Sequence, residues 1–284
     1  MGRIVYVDGD YVDESEAKVS VFNRGFLFSD AVYEVTSVLD GKLVDFEGHC
    51  VRLARSLGEL GMPAPVTDEA LLEIHRELVT RNALTEGAIY LQVSRLSEDR
   101  DFLWDENLPS SLVMFTQDRP LVASALAERG AKVIAIDDLR WQRRDIKTVQ
   151  LLFPSLAKME AKRAGKDDAW MVEDGAITEG TSNNAWIVTA DGVLVTRGLS
   201  NSILHGITRA AVMRYAAEAQ IRVEERAFTL EEAKGAAEAF TTSASAFVMP
   251  VVEIDGAVLG DGAPGPIAKR LREIYVEESR KAAV

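Results

Sequence analysis

The chain has 284 residues, 47% hydrophobic and 27% charged, the balance of an ordinary globular protein with room for one large domain or two smaller ones. Its 32 basic and 45 acidic residues leave a formal charge of −13, so nucleic acid or an anionic membrane would meet repulsion over most of the surface. The single cysteine, Cys50, excludes an internal disulfide framework and a multi-cysteine metal site, and no apolar run is long enough to span a bilayer.

The first residues read directly into a strand and lack the charged-then-apolar pattern of a signal peptide, so a cytoplasmic protein is expected. Residues 3–12 alternate around Asp8-Gly9 and predict a hairpin. A second hairpin is signalled by 33–39, a turn at Asp40-Gly41, and 42–44. Leu53, Leu57 and Leu60 share one face of a predicted helix over 47–60. Thr67-Asp68-Glu69 caps another over 67–83. Strands follow near 88–95 and 111–117. Pro120 lies in a polar connector at 118–123, which predicts a small N-terminal α/β domain over 1–117 and a larger one over 124–284. In that second part a strand near 131–137 precedes a helix near 150–164. Short β segments follow near 169–173, 184–189 and 193–196, then a helix from 206 to about 219. Strands near 237–242 and 248–254 and a helix over 264–279 complete the chain. Strands and helices mix without strict alternation, so the fold expected is α/β of the mixed α+β kind in two domains, not a doubly wound sheet.

Few residues carry a chemical signal alone. Lys147 lies between Ile146 and Thr148-Val149, an apolar setting in which an amine can attack a carbonyl, although an arbitrary lysine is more often solvated. Glu179 lies in Ile177-Thr178-Glu179-Gly180-Thr181, where small residues let backbone approach a ligand; a plain turn carboxylate is the alternative reading. Gly206-Ile207-Thr208-Arg209 opens a helix whose first N–H groups favour a phosphate. Thr241-Thr242-Ser243-Ala244-Ser245 offers further small donors. The histidines His49, His75 and His205 have no metal-ligand spacing, and no hydrolase elbow, Walker loop or dinucleotide fingerprint is present.

Six ordered segments carry a resemblance. They are Ser29-Asp30-Ala31-Val32-Tyr33-Glu34-Val35, Tyr90-Leu91-Gln92-Val93-Ser94-Arg95, Asp145-Ile146-Lys147, Leu156-Ala157-Lys158-Met159-Glu160-Ala161, Ile177-Thr178-Glu179-Gly180 and Leu204-His205-Gly206-Ile207-Thr208-Arg209. In order and spacing, over nearly the whole chain, they resemble the class IV aminotransferases, fold-type IV enzymes that use pyridoxal 5′-phosphate (PLP). The likeness is greatest to the bacterial D-amino acid aminotransferases. The resemblance implies that Lys147 carries PLP as a Schiff base and that Glu179 pairs with the pyridine nitrogen. It implies that Arg52, Ile207 and Thr208 hold the phosphate with Ser243 and Ala244 nearby, and that Leu204 packs on the ring. Tyr33 and Tyr90 would line the substrate site, and Arg100 would capture the α-carboxylate. Phe102 stands where those enzymes carry a histidine, and Glu98, Asp99 and Asp101 surround Arg100, so pairing of Arg100 with Asp99 or Asp101 in solvent is the competing expectation. The partners implied are a D-amino acid donor and a 2-oxo acid acceptor such as 2-oxoglutarate or pyruvate, used in ping-pong order, and a second subunit in a homodimer. On the same scaffold an (R)-amine or branched-chain L-amino acid transaminase and an aminodeoxychorismate lyase remain alternatives.

Overall fold

Two Asp-Gly pairs fold the start of the chain back on itself. Asp40 and Gly41 both have positive φ (53° and 76°), as a two-residue hairpin turn of the I′ kind requires, and Asp8-Gly9 does the same (47° and 110°). The computed structural model describes residues 2–284 and divides them into two compact units. The first comprises Met1–Pro120, Ile146–Gln150 and Ser279–Val284; the second comprises Leu121–Asp145 and Leu151–Glu278.

The first unit is built on β1 (Ile4–Val7), β2 (Asp10–Asp13), β3 (Ala31–Leu39), β4 (Lys42–Leu43), β5 (Glu86–Arg95) and β6 (Ser110–Asp118). They form one antiparallel sheet in the order β2-β1-β6-β5-β3-β4. A five-residue helix, α1 (Arg24–Phe28), precedes β3. Two longer helices, α2 (Phe46–Glu59) and α3 (Asp68–Arg81), supply the apolar stripe that covers the sheet. Thr67 caps α3 by accepting from the Ala70 N–H, as the sequence predicts. Leu53, Leu57, Leu71, Ile74 and Leu78 from these helices meet Val32, Ile89, Leu91, Val93, Leu112 and Met114 from the strands. Each such side chain contributes roughly 1.5–3 kcal/mol through burial.

The chain returns to this unit after a long excursion. Tyr33 donates its N–H to the Lys147 carbonyl (2.9 Å), Val149 donates to Ala31 (3.1 Å), and Thr148 bridges Val32. Residues 146–150 therefore lengthen the edge of β3. Alternation along this added edge sends Ile146 into the helix-covered core and Lys147 to the opposite face. The expectation drawn from chain order put everything after 123 in one later domain; the compact unit instead recruits 146–150 through these backbone bonds. It also takes the C-terminus, where Leu43 and Val284 exchange two backbone hydrogen bonds.

The second unit holds α4 (Ala125–Arg129), β7 (Ala131–Asp137), α5 (Leu152–Arg163), β8 (Asp168–Glu173), β9 (Ala176–Gly180), β10 (Asn184–Val188) and β11 (Leu194–Thr196). After these come α6 (Ile207–Glu218), β12 (Val223–Glu225), α7 (Leu230–Lys234), β13 (Glu238–Ser243), β14 (Phe247–Ile254), β15 (Ala257–Val258) and α8 (Pro266–Ala282), whose last turn counts with the first unit. Eight strands follow the order β12-β11-β10-β13-β14-β7-β8-β9, and β15 pairs with β14. Parallel pairs β14–β7, β7–β8 and β11–β12 sit among antiparallel ones, so the mixed class expected from the sequence is the class observed. Trp170, Ile177, Ile187, Val195, Phe228 and Val251 lie in its core. Glu179 lies on strand β9, not in the turn of the alternative reading: Val172 pairs with Ile177, and Trp170 with Gly180.

Candidate active site

In the first unit the chemistry gathers where residues 146–150 run along β3. Lys147 and Tyr33 are directly paired, so their side chains share a face, and the Lys147 Nζ stands 4.3 Å from the centre of the Tyr33 ring. Tyr33 stacks on Tyr90 (5.6 Å between centroids), and Tyr90 stacks on Phe115 (4.9 Å). The Tyr90 hydroxyl donates to Gln92 Oε1 (2.9 Å), and burial pushes its pKa up, so it stays a neutral donor. This aromatic row lies across the face of β3, β5 and β6 that α2 and α3 leave uncovered.

The opposite face of β3 carries Glu34, which receives Arg52 Nε (2.8 Å) and Nη2 (2.6 Å) from α2. His49 Nδ1 lies 2.7 Å from the same carboxylate. Burial alone would raise the Glu34 pKa, but Arg52 and His49 overcome it and hold the group well below the usual carboxylate range. One turn beyond Arg52, Ser56 Oγ accepts the Lys147 N–H at 3.4 Å, a long contact that ties the lysine's backbone to α2.

Arg100 is exposed and makes no ion pair among the described residues; its guanidinium lies over the rings of Phe28 (5.4 Å) and Phe102 (5.7 Å). Pairing with Asp99 or Asp101, the competing expectation, does not occur. Two of the acidic neighbours face other groups: the Asp101 carboxylate accepts the Leu103 N–H (3.1 Å), and Glu98 stands 3.8 Å from Arg24 Nη1, which also donates to the Asp101 backbone carbonyl (2.8 Å). Arg24 and Arg95, both buried, donate to one oxygen of Asp30, and the Trp104 ring lies over both guanidinium groups.

In the second unit Glu179 is buried at the end of β9. It receives Arg140 Nη1 (2.6 Å) on one oxygen, and Asn184 Nδ2 (2.9 Å) and the Leu204 N–H (3.1 Å) on the other. Arg140 is gripped from behind by both oxygens of Asp138 (2.9 and 2.7 Å), which also accepts Thr178 Oγ1 (2.7 Å). Burial raises the Glu179 pKa above the usual value even though Arg140 opposes the shift. Asn184 also donates to the Leu204 carbonyl, which fixes the approach to α6. A Cβ on Gly206 would stand 2.0 Å from Asn184 Oδ1, so only glycine fits before the helix. Gly206 caps α6 with no side-chain hydrogen bond, and Thr208 is buried in the first turn. Ser243 closes β13 one residue past Thr242, which pairs with Asn184, and Ala244 follows it.

The structure thus groups Lys147, Tyr33, Tyr90 and Arg52 within one unit, and Glu179, Leu204, Ile207, Thr208, Ser243 and Ala244 within the other, while Arg100 sits on an outlying loop. Sequence reasoning passed over Glu34, His49, Ser56, Arg140, Asp138 and Asn184. Only Glu34 left a signal, since strand alternation puts it on the core-facing side of β3 beside Tyr33, where a lone carboxylate needs a cation.

The model of the family described as amino-transferase class IV matches residues 31–254. A D-alanine aminotransferase of Staphylococcus aureus (strain N315) is 36% identical over 272 residues, covering 95% of each chain. One from Bacillus licheniformis is 35% identical over 269 residues, 94% of each. Among solved structures, a branched-chain aminotransferase from the archaeon Thermoproteus uzoniensis with norvaline superposes with a TM-score of 0.87 at 30% identity, covering 98% of this chain and 95% of that one.

Proposed function

The chain belongs to the class IV aminotransferases, and from that premise we propose that it is a PLP enzyme that takes the amino group of a D-amino acid and passes it to a 2-oxo acid. The observation that carries the donor class is the likeness to D-alanine aminotransferases along nearly the whole of both chains. The residues fit the cofactor: a lysine amine beside a half-buried aromatic face, a buried carboxylate already gripping one cation, and a glycine-opened helix start where a side chain would collide.

PLP, when bound, supplies a carbonyl for amine exchange and a ring that withdraws electrons from the substrate Cα. Lys147 Nζ would hold that carbonyl and, once released, take the proton from Cα. Glu179 would hold the proton on the pyridine nitrogen, with Arg140 keeping the carboxylate charged. The N–H groups of Ile207 and Thr208, together with Arg52, would take the phosphate, with Ser243 and Ala244 adding donors. Leu204 would pack against the ring, and Tyr33 and Tyr90 would line the substrate side. Arg100 would clamp the α-carboxylate. A cytoplasmic homodimer is part of this reading. It is supported by Phe26, Phe102, Leu103 and Leu152, large apolar side chains that are each at least 73% exposed in the single chain.

The likeness to a branched-chain aminotransferase in fold and at 30% identity favours a second donor class, branched-chain L-amino acids. D-alanine, D-glutamate, L-leucine and an (R)-amine, each offered with 2-oxoglutarate or pyruvate, separate the two. Turnover of D-alanine well above L-leucine is expected; the reverse order would replace the first reading by the second.

A further inference from the structure

Glu34 and Tyr33 are neighbours on β3 but serve opposite faces. Tyr33 looks toward Lys147, whereas Glu34 is buried against α2, where Arg52 and His49 are also buried. His49 and Arg52 lie three residues apart, so one helical turn presents both to the same carboxylate. A buried ion pair is a poor source of stability, because apolar residues of similar volume usually serve as well or better. What such a pair does supply is orientation. Two parallel N–H···O bonds along the Nε–Nη2 edge fix the plane of the guanidinium, and His49 Nδ1 on the second oxygen fixes the carboxylate in turn. The side-chain rotamers of Arg52 are thereby settled before any ligand arrives.

We propose that Glu34, steadied by His49, is a positioning residue that holds the Arg52 guanidinium in the orientation in which it receives the cofactor phosphate. The proposal rests on the reading of Arg52 as a phosphate ligand. Two effects oppose each other here. The negative charge of Glu34 partly cancels the attraction of Arg52 for a phosphate, while the fixed geometry strengthens it. Geometry dominates, because arginine recognises phosphate through paired N–H groups in a set plane, and a buried guanidinium stripped of its carboxylate turns toward other acceptors. Arg52 and His49 hold Glu34 ionised against its burial, so the clamp is present at neutral pH.

The test compares binding of PLP and of pyridoxal, which lacks the phosphate, to the full chain freed of cofactor. In Glu34→Gln, one acceptor of the bidentate pair becomes a donor facing an N–H. In Glu34→Asp the charge stays but the carboxylate retreats by one methylene, so place is separated from charge. Both variants are expected to raise the Kd for PLP about tenfold or more, equivalent to about 1.4 kcal/mol, and to leave the Kd for pyridoxal unchanged. Unchanged or tighter PLP binding in either variant would overturn the proposal, and so would equal weakening of both ligands, which marks general damage. Glu34→Asp carries the test alone if Glu34→Gln does not fold. Arg52→Met separates the two levels. If it leaves the preference for PLP over pyridoxal intact, the phosphate role of Arg52 fails. If it abolishes the preference while the Glu34 variants keep it, only the positioning role fails.

Discussion

Arg140→Met tests how the protein manages Glu179. Arg140 Nη1 stands 2.6 Å from Glu179 Oε1, and both groups are nearly out of solvent. Two unit charges about 4 Å apart at an effective dielectric near 20 attract by on the order of 4 kcal/mol. Burial already lifts the Glu179 pKa, so losing that attraction lifts it further and favours the neutral carboxyl. In the role proposed for Glu179, a neutral carboxyl would no longer hold a proton on the pyridine nitrogen, and each 1.4 kcal/mol of lost stabilisation would slow the step about tenfold. A fall of about ten- to a hundredfold is expected in the single-turnover rate with D-alanine at pH 7, with partial recovery as pH rises and Glu179 ionises. Stability moves the other way. A carboxyl whose folded pKa lies above its unfolded value contributes stability at low pH and loses it as pH rises through the folded value. The variant should therefore unfold more easily the more alkaline the buffer, with a loss of about 3–5 kcal/mol for a broken buried pair as the upper bound. Asp138, which Arg140 also grips, keeps Thr178 (2.7 Å) and Arg144 (3.4 Å), so collapse of that corner is not expected. Rate and stability that both ignore pH, or a wild-type rate at pH 7, would refute the argument.

Lys147→Ala is expected to lose both the yellow colour of bound cofactor and about a thousandfold or more in turnover; retention of wild-type rate would remove Lys147 from the chemistry. Arg100→Ala is expected to raise KM for D-alanine about tenfold while sparing a carboxylate-free (R)-amine, and equal effects on both donors would show that the α-carboxylate is held elsewhere. His75 is buried with Nδ1 on the Leu71 carbonyl, and burial lowers its pKa from 6.5 to about 4. The unfolded chain then takes up a proton that the folded one refuses, so about 3 kcal/mol of stability disappears as pH falls from 6.5 to 4. Urea midpoints of His75→Phe should be flatter than wild type across that window; identical slopes would place the acid sensitivity in other groups.

Much of the fold was legible because it follows two short periods. The Asp-Gly hairpins, α2, α3 and the alternation of β5 declare themselves within about ten to fifteen residues. Strand β9 did not, because Thr178, Gly180 and Thr181 carry the composition of a turn, and pairing with β8 overrides that local preference. Lys147 and Glu179 are singled out by the order of motifs along the chain rather than by any local feature, and their roles stand as proposals. Arg140 stayed hidden among Arg143 and Arg144, since nothing in a run of arginines tells which one meets a carboxylate 39 residues later. The acidic setting of Arg100 is a related case. Glu98, Asp99 and Asp101 are its neighbours in sequence, but the Asp101 carboxylate accepts the Leu103 N–H and Glu98 stands beside Arg24, far off along the chain.

The same pattern bears on how a chain of net charge −13 would take the anionic ligand proposed for it. Its buried arginines, and half-buried Arg140 with them, do not create a broad positive field; each already meets a carboxylate. Arg52 is clamped by Glu34, Arg140 by Asp138 and Glu179, and Arg24 and Arg95 share Asp30. A cation neutralised in this way attracts little at long range, so selection of an anion must come from the direction in which the remaining N–H groups point. Directional selection of this kind depends on the residues behind the arginine as much as on the arginine itself, which is why Glu34 and Asp138 matter to the reading of the site although neither is assigned a contact with the cofactor or substrate.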